Sequence, residues 1–198
     1  MVDVYLAGVG GQGIITASRI IGDAALDAGM NVLLSETHGM AQRGGSVECT
    51  ARIGDVHSPL IPDGQADVIL SFELLETMRA LCKASRKTFI ISATEKIVPL
   101  SVTTQKLTYP NLEDVRAEAS RIARGFLDID ASGLARAAGS PLSTNVVMVG
   151  ALAGTGISGI ARRHFEKAVS LNVPAKVEEN LKAFKNGLDS VAARLNKH

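Results

Sequence analysis

A chain of 198 residues suits one compact α/β domain and can bury a core without help from a disulfide or a structural metal. Its 21 basic and 20 acidic residues leave a formal charge of +1, and Trp is absent, so neither an electrostatic grip on nucleic acid nor a ring platform for stacking bases is supplied. Two cysteines, Cys49 and Cys82, with no CxxC pair or Cys/His cluster, exclude an iron–sulfur cluster or structural zinc held by this chain alone and read as small buried hydrophobes in a reducing compartment.

In chain order, Val2 to Ala7 is a short apolar run ending at once in glycines, the pattern of a buried first strand. From Ile14 to Ala28 apolar residues recur at three and four, which predicts a helix with one buried face and Gly29 at its C-terminal cap. Asn31 to Glu36 reads as a second strand, completing a strand–glycine loop–helix–strand unit of the kind that makes a parallel crossover. Ser46 to Ile53 alternates Val47, Cys49, Ala51 and Ile53 with polar partners, a strand with one wetter face. Asp67 to Phe72 and Thr88 to Ser92 are further buried strands, with a helix between them over Glu73 to Ala84.

Val102 to Leu107 is a candidate strand ended by Pro110. Glu113 to Arg124 reads as a charged amphipathic helix, Phe126 to Ile129 as a short strand, and Leu134 to Ala138 as a short helix closed by Gly139. Asn145 to Gly154 is apolar all round and rich in small residues, which predicts a helix buried between the sheet and a partner. The apolar run Val146 to Ala161 is shorter than the roughly 20 residues a membrane span needs and is broken by Gly150, Gly154, Gly156 and Gly159. With no basic, apolar leader at the N-terminus, a cytoplasmic protein with no membrane partner is expected.

From Pro174 onward, Val177, Leu181, Phe184, Leu188, Val191 and Leu195 alternate at four and three, predicting a helix over about 174–196 that packs on its own domain or forms a seam with another subunit. The fold class expected is a single open, Rossmann-like α/β domain over 1–198, its sheet mostly parallel, with flanking helices and a helical C-terminal tail.

Gly8-Val9-Gly10-Gly11-Gln12-Gly13 satisfies GxGxxG between a strand and a helix, where backbone N–H groups and the helix N-terminus favour an anion. Glu36, at the end of the second strand, lies where a ribose-binding acid sits in a dinucleotide fold, so a stand-alone nucleotide-binding protein is one reading. Close strand–helix packing by glycines that bind nothing is another, leaving a purely structural scaffold. Gln12 places a polar amide in the turn, open to a ligand or a neighbouring chain. The second loop reads THGMAQRGGS, and Arg43 followed by Gly44 and Gly45 offers a planar cation on a backbone free to approach a ligand. His38 is a candidate proton carrier or a hydrogen-bonding surface residue. Both loops are expected at the carboxyl edge of neighbouring strands, lining one crevice.

VYLAGVGGQGI, SETHGMAQRGGSV, ADVILSFELLET and NVVMVGALAG, in that order along nearly the full length, resemble the gamma domain of pyruvate and other 2-oxoacid:ferredoxin oxidoreductases. The HGMAQRGGSV version is similar to the beta subunit of the indolepyruvate enzymes. The resemblance implies thiamine diphosphate, magnesium and iron–sulfur clusters on a larger partner subunit, coenzyme A as co-substrate and ferredoxin as acceptor reached through the complex. This chain has no GDG with a distant NN for the thiamine diphosphate; Pro62-Asp63-Gly64 is the nearest phrase. It is therefore expected to be an accessory subunit with no catalytic or metal-ligating residue of its own. Its candidate coenzyme or cap residues are Gly8, Gly10, Gly11, Gln12, Gly13, His38, Gln42, Arg43, Gly44 and Gly45. The Val146–Gly154 helix and the tail are candidates for surface buried between chains, in a homodimer of the isolated subunit or against the partner.

Overall fold

The computed structural model describes residues 1–38, 45–97 and 109–195. Among the described residues six strands form one sheet: β1 (Val2–Val9), β2 (Val32–His38), β3 (Ser46–Ile53), β4 (Val68–Ser71), β5 (Phe89–Ala93) and β6 (Gly125–Ile129). Their spatial order is β2-β3-β1-β4-β5-β6. β1, β4, β5 and β6 are parallel, whereas β3 runs antiparallel to both of its neighbours. The mostly parallel α/β sheet expected from the sequence is present, with one correction. β1 and β2 point the same way but are not neighbours, because β3 lies between them.

Seven α-helices occur among the described residues: α1 (Ile14–Asp27), α2 (Leu74–Ala80), α3 (Leu112–Ile122), α4 (Ala131–Ala137), α5 (Thr144–Thr155), α6 (Arg162–Asn172) and α7 (Val177–Leu195). The alternation of side chains along β1 divides the core. Val4 and Leu6 join Val47, Cys49, Ala51 and Ile53 of β3 beneath α1 and α4 to α7, while Tyr5 and Ala7 pack with Ala80 and Ala119 on the face covered by α2 and α3. The wet face of β3 is tied down rather than open: Arg52 pairs with buried Asp3 at 2.8 Å and donates to the carbonyls of Ser58 and Leu60.

α5 is apolar all round because it is buried all round, though its neighbour differs from the expected partner chain. Its own C-terminal helix lies against it. A Cβ on Gly150 would come 2.0 Å from the Phe184 carbonyl oxygen, and one on Gly154 2.7 Å from that of Leu188. The small residues let two helix backbones touch, so the two surfaces suggested for a dimer seam largely consume each other. α6 has no counterpart in the sequence reading. It is held to α1 by His164 and Lys167 on Asp27 and by Asn172 on Asp23. Val102 to Leu107 lies outside the described residues. Cys49 is buried as expected, but Cys82 is exposed after α2 and is no core residue. Among the described residues, no helix is long and apolar enough to cross a membrane.

Candidate functional site

The parallel strands end together, so the turn after β1 and the segment after β4 share the carboxyl edge of the sheet. Gln12 ties them. Its Oε1 accepts the Val9 N–H at 2.8 Å, and its Nε2 donates to the Phe72 carbonyl at 2.7 Å. This corrects the expectation that the amide faces a ligand or another chain: both ends of the amide are engaged within the domain. Gly8 faces Ile14 and Gln12 so closely that a Cβ would meet Ile14 at 2.9 Å, and its lack of a side chain serves strand–helix packing.

The next glycines differ. Gly11 adopts φ 106°, which favours glycine, with nothing among the described residues within 4 Å of a notional Cβ. Gly13 is the N-cap of α1 at φ 75°, and Asn145, on the first turn of α5, donates through Nδ2 to its carbonyl at 3.3 Å. Among the described residues the first turn of α1 has no side-chain cap, and it contains no acidic residue. Its leading N–H groups therefore suit an anion.

The second loop returns to the first. The Gly10 N–H donates to the Gly45 carbonyl at 2.9 Å, which brings the two glycine segments together as expected, although through β3 rather than through adjacent β1 and β2. Ser46 Oγ then donates to Glu76 Oε2 at 2.7 Å. Glu76 is 2% exposed, and its other oxygen accepts from Arg79 Nη1 at 2.6 Å. One turn earlier, fully buried Glu73 caps α2 by accepting the Glu76 N–H at 3.0 Å and also accepts the Ile97 N–H. Burial pushes the Glu73 carboxyl above the usual carboxylate range, against the lowering effect of its N–H donors.

Gly8, Gly10, Gly11, Gln12, Gly13 and Gly45 thus converge at one edge. His38 ends β2 in the row of Val47 and Gly8, two strands from β1. At about 4.8 Å per strand that places its backbone roughly 10 Å from β1. The His38 side chain and residues Gln42, Arg43 and Gly44 lie outside the described residues. Glu36 is on the same outer strand, exposed, and 3.9 Å from Arg19. The inserted β3 moves it from the position beside β1 that a ribose-binding acid needs.

Sequence reasoning assigned no role to Ser46, Glu73, Glu76 or Asn145. The two acids carried a signal, an acid directly after a buried strand and another three residues on, which marks a helix start. Beside the Gly13–Asn145 contact is a hollow of about 460 Å³ whose lining includes Thr16, Ser143, Asn145, Lys176 and Asn180. These hydroxyls, amides and one ammonium sit in a hollow that Pro141, Leu142, Val173 and Pro174 make mainly apolar.

The family described as pyruvate ferredoxin/flavodoxin oxidoreductase matches residues 3–190. Indolepyruvate oxidoreductase subunit IorB of Archaeoglobus fulgidus is 45% identical over 93% of this chain and 92% of its own. The gamma subunit of a keto/oxoacid ferredoxin oxidoreductase from Geobacter sulfurreducens shares the fold, with a TM-score of 0.71, 23% identity, and coverage of 98% of this chain and 99% of that one. The 2-oxoglutarate:ferredoxin oxidoreductase of Magnetococcus marinus, solved with 2-oxoglutarate, coenzyme A and succinyl-CoA bound, contains the same fold as 32% of a longer chain that covers all of this one, with a TM-score of 0.73 and 22% identity. The chain therefore belongs to the pyruvate ferredoxin/flavodoxin oxidoreductase family.

Proposed function

We propose that the chain is the small accessory subunit of a cytoplasmic, thiamine diphosphate-dependent 2-oxoacid:ferredoxin oxidoreductase acting on indolepyruvate or another aryl pyruvate. With its larger partner it forms acyl-coenzyme A, carbon dioxide and reduced ferredoxin. The partner holds thiamine diphosphate, magnesium and the iron–sulfur clusters. Coenzyme A is the co-substrate that meets this chain.

The observation that carries the reading is the junction of the two glycine segments at Gly10 and Gly45. The Gly10 and Gln12 N–H groups are used within the domain, on the Gly45 and Val9 carbonyls, so in this reading the N–H groups of Gly11 and Gly13 and the Arg43 guanidinium hold phosphate oxygens of the coenzyme, an anion that suits a helix N-terminus and a planar cation. The first turn of α1, which carries no acidic side chain, and the left-handed conformations of Gly11 and Gly13 support that assignment. The dinucleotide-binding alternative loses its ribose acid, because Glu36 stands two strands from the turn.

Reconstitution tests the reading. The chain is mixed with its larger partner and assayed for 2-oxoacid- and coenzyme A-dependent reduction of ferredoxin, first as wild type and then as Arg43→Ala. Activity that needs both chains, with a raised KM for coenzyme A in the variant, is the expected result. An unchanged KM would remove the phosphate role, and full activity from the larger subunit alone would remove the subunit role.

A further inference from the structure

Glu76 has a place in the fold that the coenzyme reading does not use. It is nearly fully buried at the carboxyl edge of the sheet, on the first turn of α2, where a carboxylate complements the helix dipole. A buried carboxylate needs partners to offset its lost hydration, and Glu76 has two of unlike kind. Arg79 supplies the countercharge on its own helix, while Ser46 comes from 30 residues earlier in the chain, at the first residue of β3. Ser46 follows directly on Gly45, whose carbonyl receives the Gly10 N–H. The path Glu76–Ser46–Gly45–Gly10 therefore runs from a helix start to the turn of the first glycine loop.

From this path we infer that Glu76 is a positioning residue for coenzyme binding: it anchors the start of β3, and with it Gly45, against the first glycine turn and so fixes the turn whose Gly11 and Gly13 N–H groups face the coenzyme phosphate. The inference rests on the coenzyme reading above. Nothing in the path touches a reacting atom, so the effect falls on binding rather than on chemistry. A hydroxyl donating to a fixed carboxylate is directional, and a tether of this kind holds a backbone segment within the few tenths of an ångström that oriented amides need.

The test uses Ser46→Ala, which removes the tether and keeps the Glu76–Arg79 pair, together with Glu76→Gln and the hydroxyl-retaining Ser46→Thr. Two readouts are taken: hydrogen exchange of the Gly10 amide in the free chain, and KM and kcat in the complex with the larger subunit. Faster Gly10 exchange and an about tenfold higher KM for coenzyme A in Ser46→Ala, equivalent to about 1.4 kcal/mol, with the change in kcat much smaller and both effects reversed by Ser46→Thr, are expected. Glu76→Gln moves both readouts in the same direction as Ser46→Ala.

Unchanged exchange at Gly10 in Ser46→Ala would overturn the inference. So would a normal KM in Ser46→Ala when Arg43→Ala raises it, or a loss confined to thermal stability. If neither Arg43→Ala nor Ser46→Ala moves the KM, the coenzyme reading itself has failed and the positioning role falls with it.

Discussion

Gly187 of α7 lies directly over Val147 of α5, so close that a Cβ on the glycine would stand 1.9 Å from the valine carbonyl oxygen. Ala is ordinarily better than Gly in a helix by up to about 1 kcal/mol. Here the overlap is with backbone, which cannot rotate away, and the two helices must move apart. Gly187→Ala is expected to destabilise the chain by at least about 3 kcal/mol, read as a lower urea midpoint. Gly150→Ala strikes the same contact from the other side, at the Phe184 carbonyl, so the double variant should cost clearly less than the sum of the two. Near-wild-type stability of Gly187→Ala would mean that α5 and α7 do not meet this closely.

The Gln12 amide is the structural tie between β1 and β4, and its two ends act differently. Gln12→Glu keeps the acceptor for Val9 but loses the donor to Phe72, leaving a carboxylate against a carbonyl oxygen. A cost of about 2 kcal/mol or more is expected near neutral pH. The new carboxyl has a folded-state pKa raised above its unfolded value, because only its protonated form can donate to Phe72. The penalty is therefore small below the unfolded pKa and grows as pH rises through it. Denaturation of Gln12→Glu and wild type at acid and neutral pH checks this. A difference that does not vary with pH would show that the Phe72 carbonyl is not the partner that matters.

Most elements could be read from the sequence because their signals are local. The three-and-four spacing of Ile14, Ala17, Ile20 and Ile21 gives α1, and the alternation from Val47 to Ile53 gives β3. Strand neighbours are a different matter. β3 could pair with either flank on pattern alone, and its insertion between β1 and β2 depends on long-range register that no local window contains. The convergence of the two glycine segments was legible, since both follow strands ending at one edge. The Gly10–Gly45 bond was not, because it requires that register. α6 escaped because only Phe165, Ala168 and Val169 are fully buried on it, too short an apolar stripe between charged residues. The small residues of α5 did announce a close neighbour, but sequence alone could not say that α7 would be that neighbour.

Asp27 predicts an acid-limb effect far from the candidate site. Its carboxyl is held below the ordinary value of 3.8 by hydrogen bonds from Lys167 first and then His164, which fasten α6 to α1. A carboxylate with a depressed folded-state pKa contributes stability that is present above its unfolded pKa and is lost as pH falls through the folded value. Thermal midpoints measured from neutral pH down to the acid range should therefore drop less steeply in Asp27→Asn, which starts lower at neutral pH and converges on wild type in acid. Parallel curves for the two proteins would show that this contact is not linked to folding.

The two thiols should separate cleanly in a reactivity experiment. Cys49 lies on β3 beneath α1 with 1% of its surface exposed, and burial pushes its thiol up to about 11. At pH 8 it holds little thiolate and offers no path to a reagent, so it reacts only when the chain opens. Cys82 is exposed in the turn after α2. Titration of the folded chain with an aromatic disulfide at pH 8 should give one fast thiol and one slow one. Cys82→Ser should abolish the fast phase, and mild urea should accelerate the slow phase. Because β3 carries Cys49 on its buried face and starts at Ser46, the slow rate also reports how firmly the strand between the two glycine loops is held. A Cys49 thiol that reacts as quickly as Cys82 would mean that β3 is not sealed beneath α1, and the register joining Gly10 to Gly45 would have to be abandoned with it.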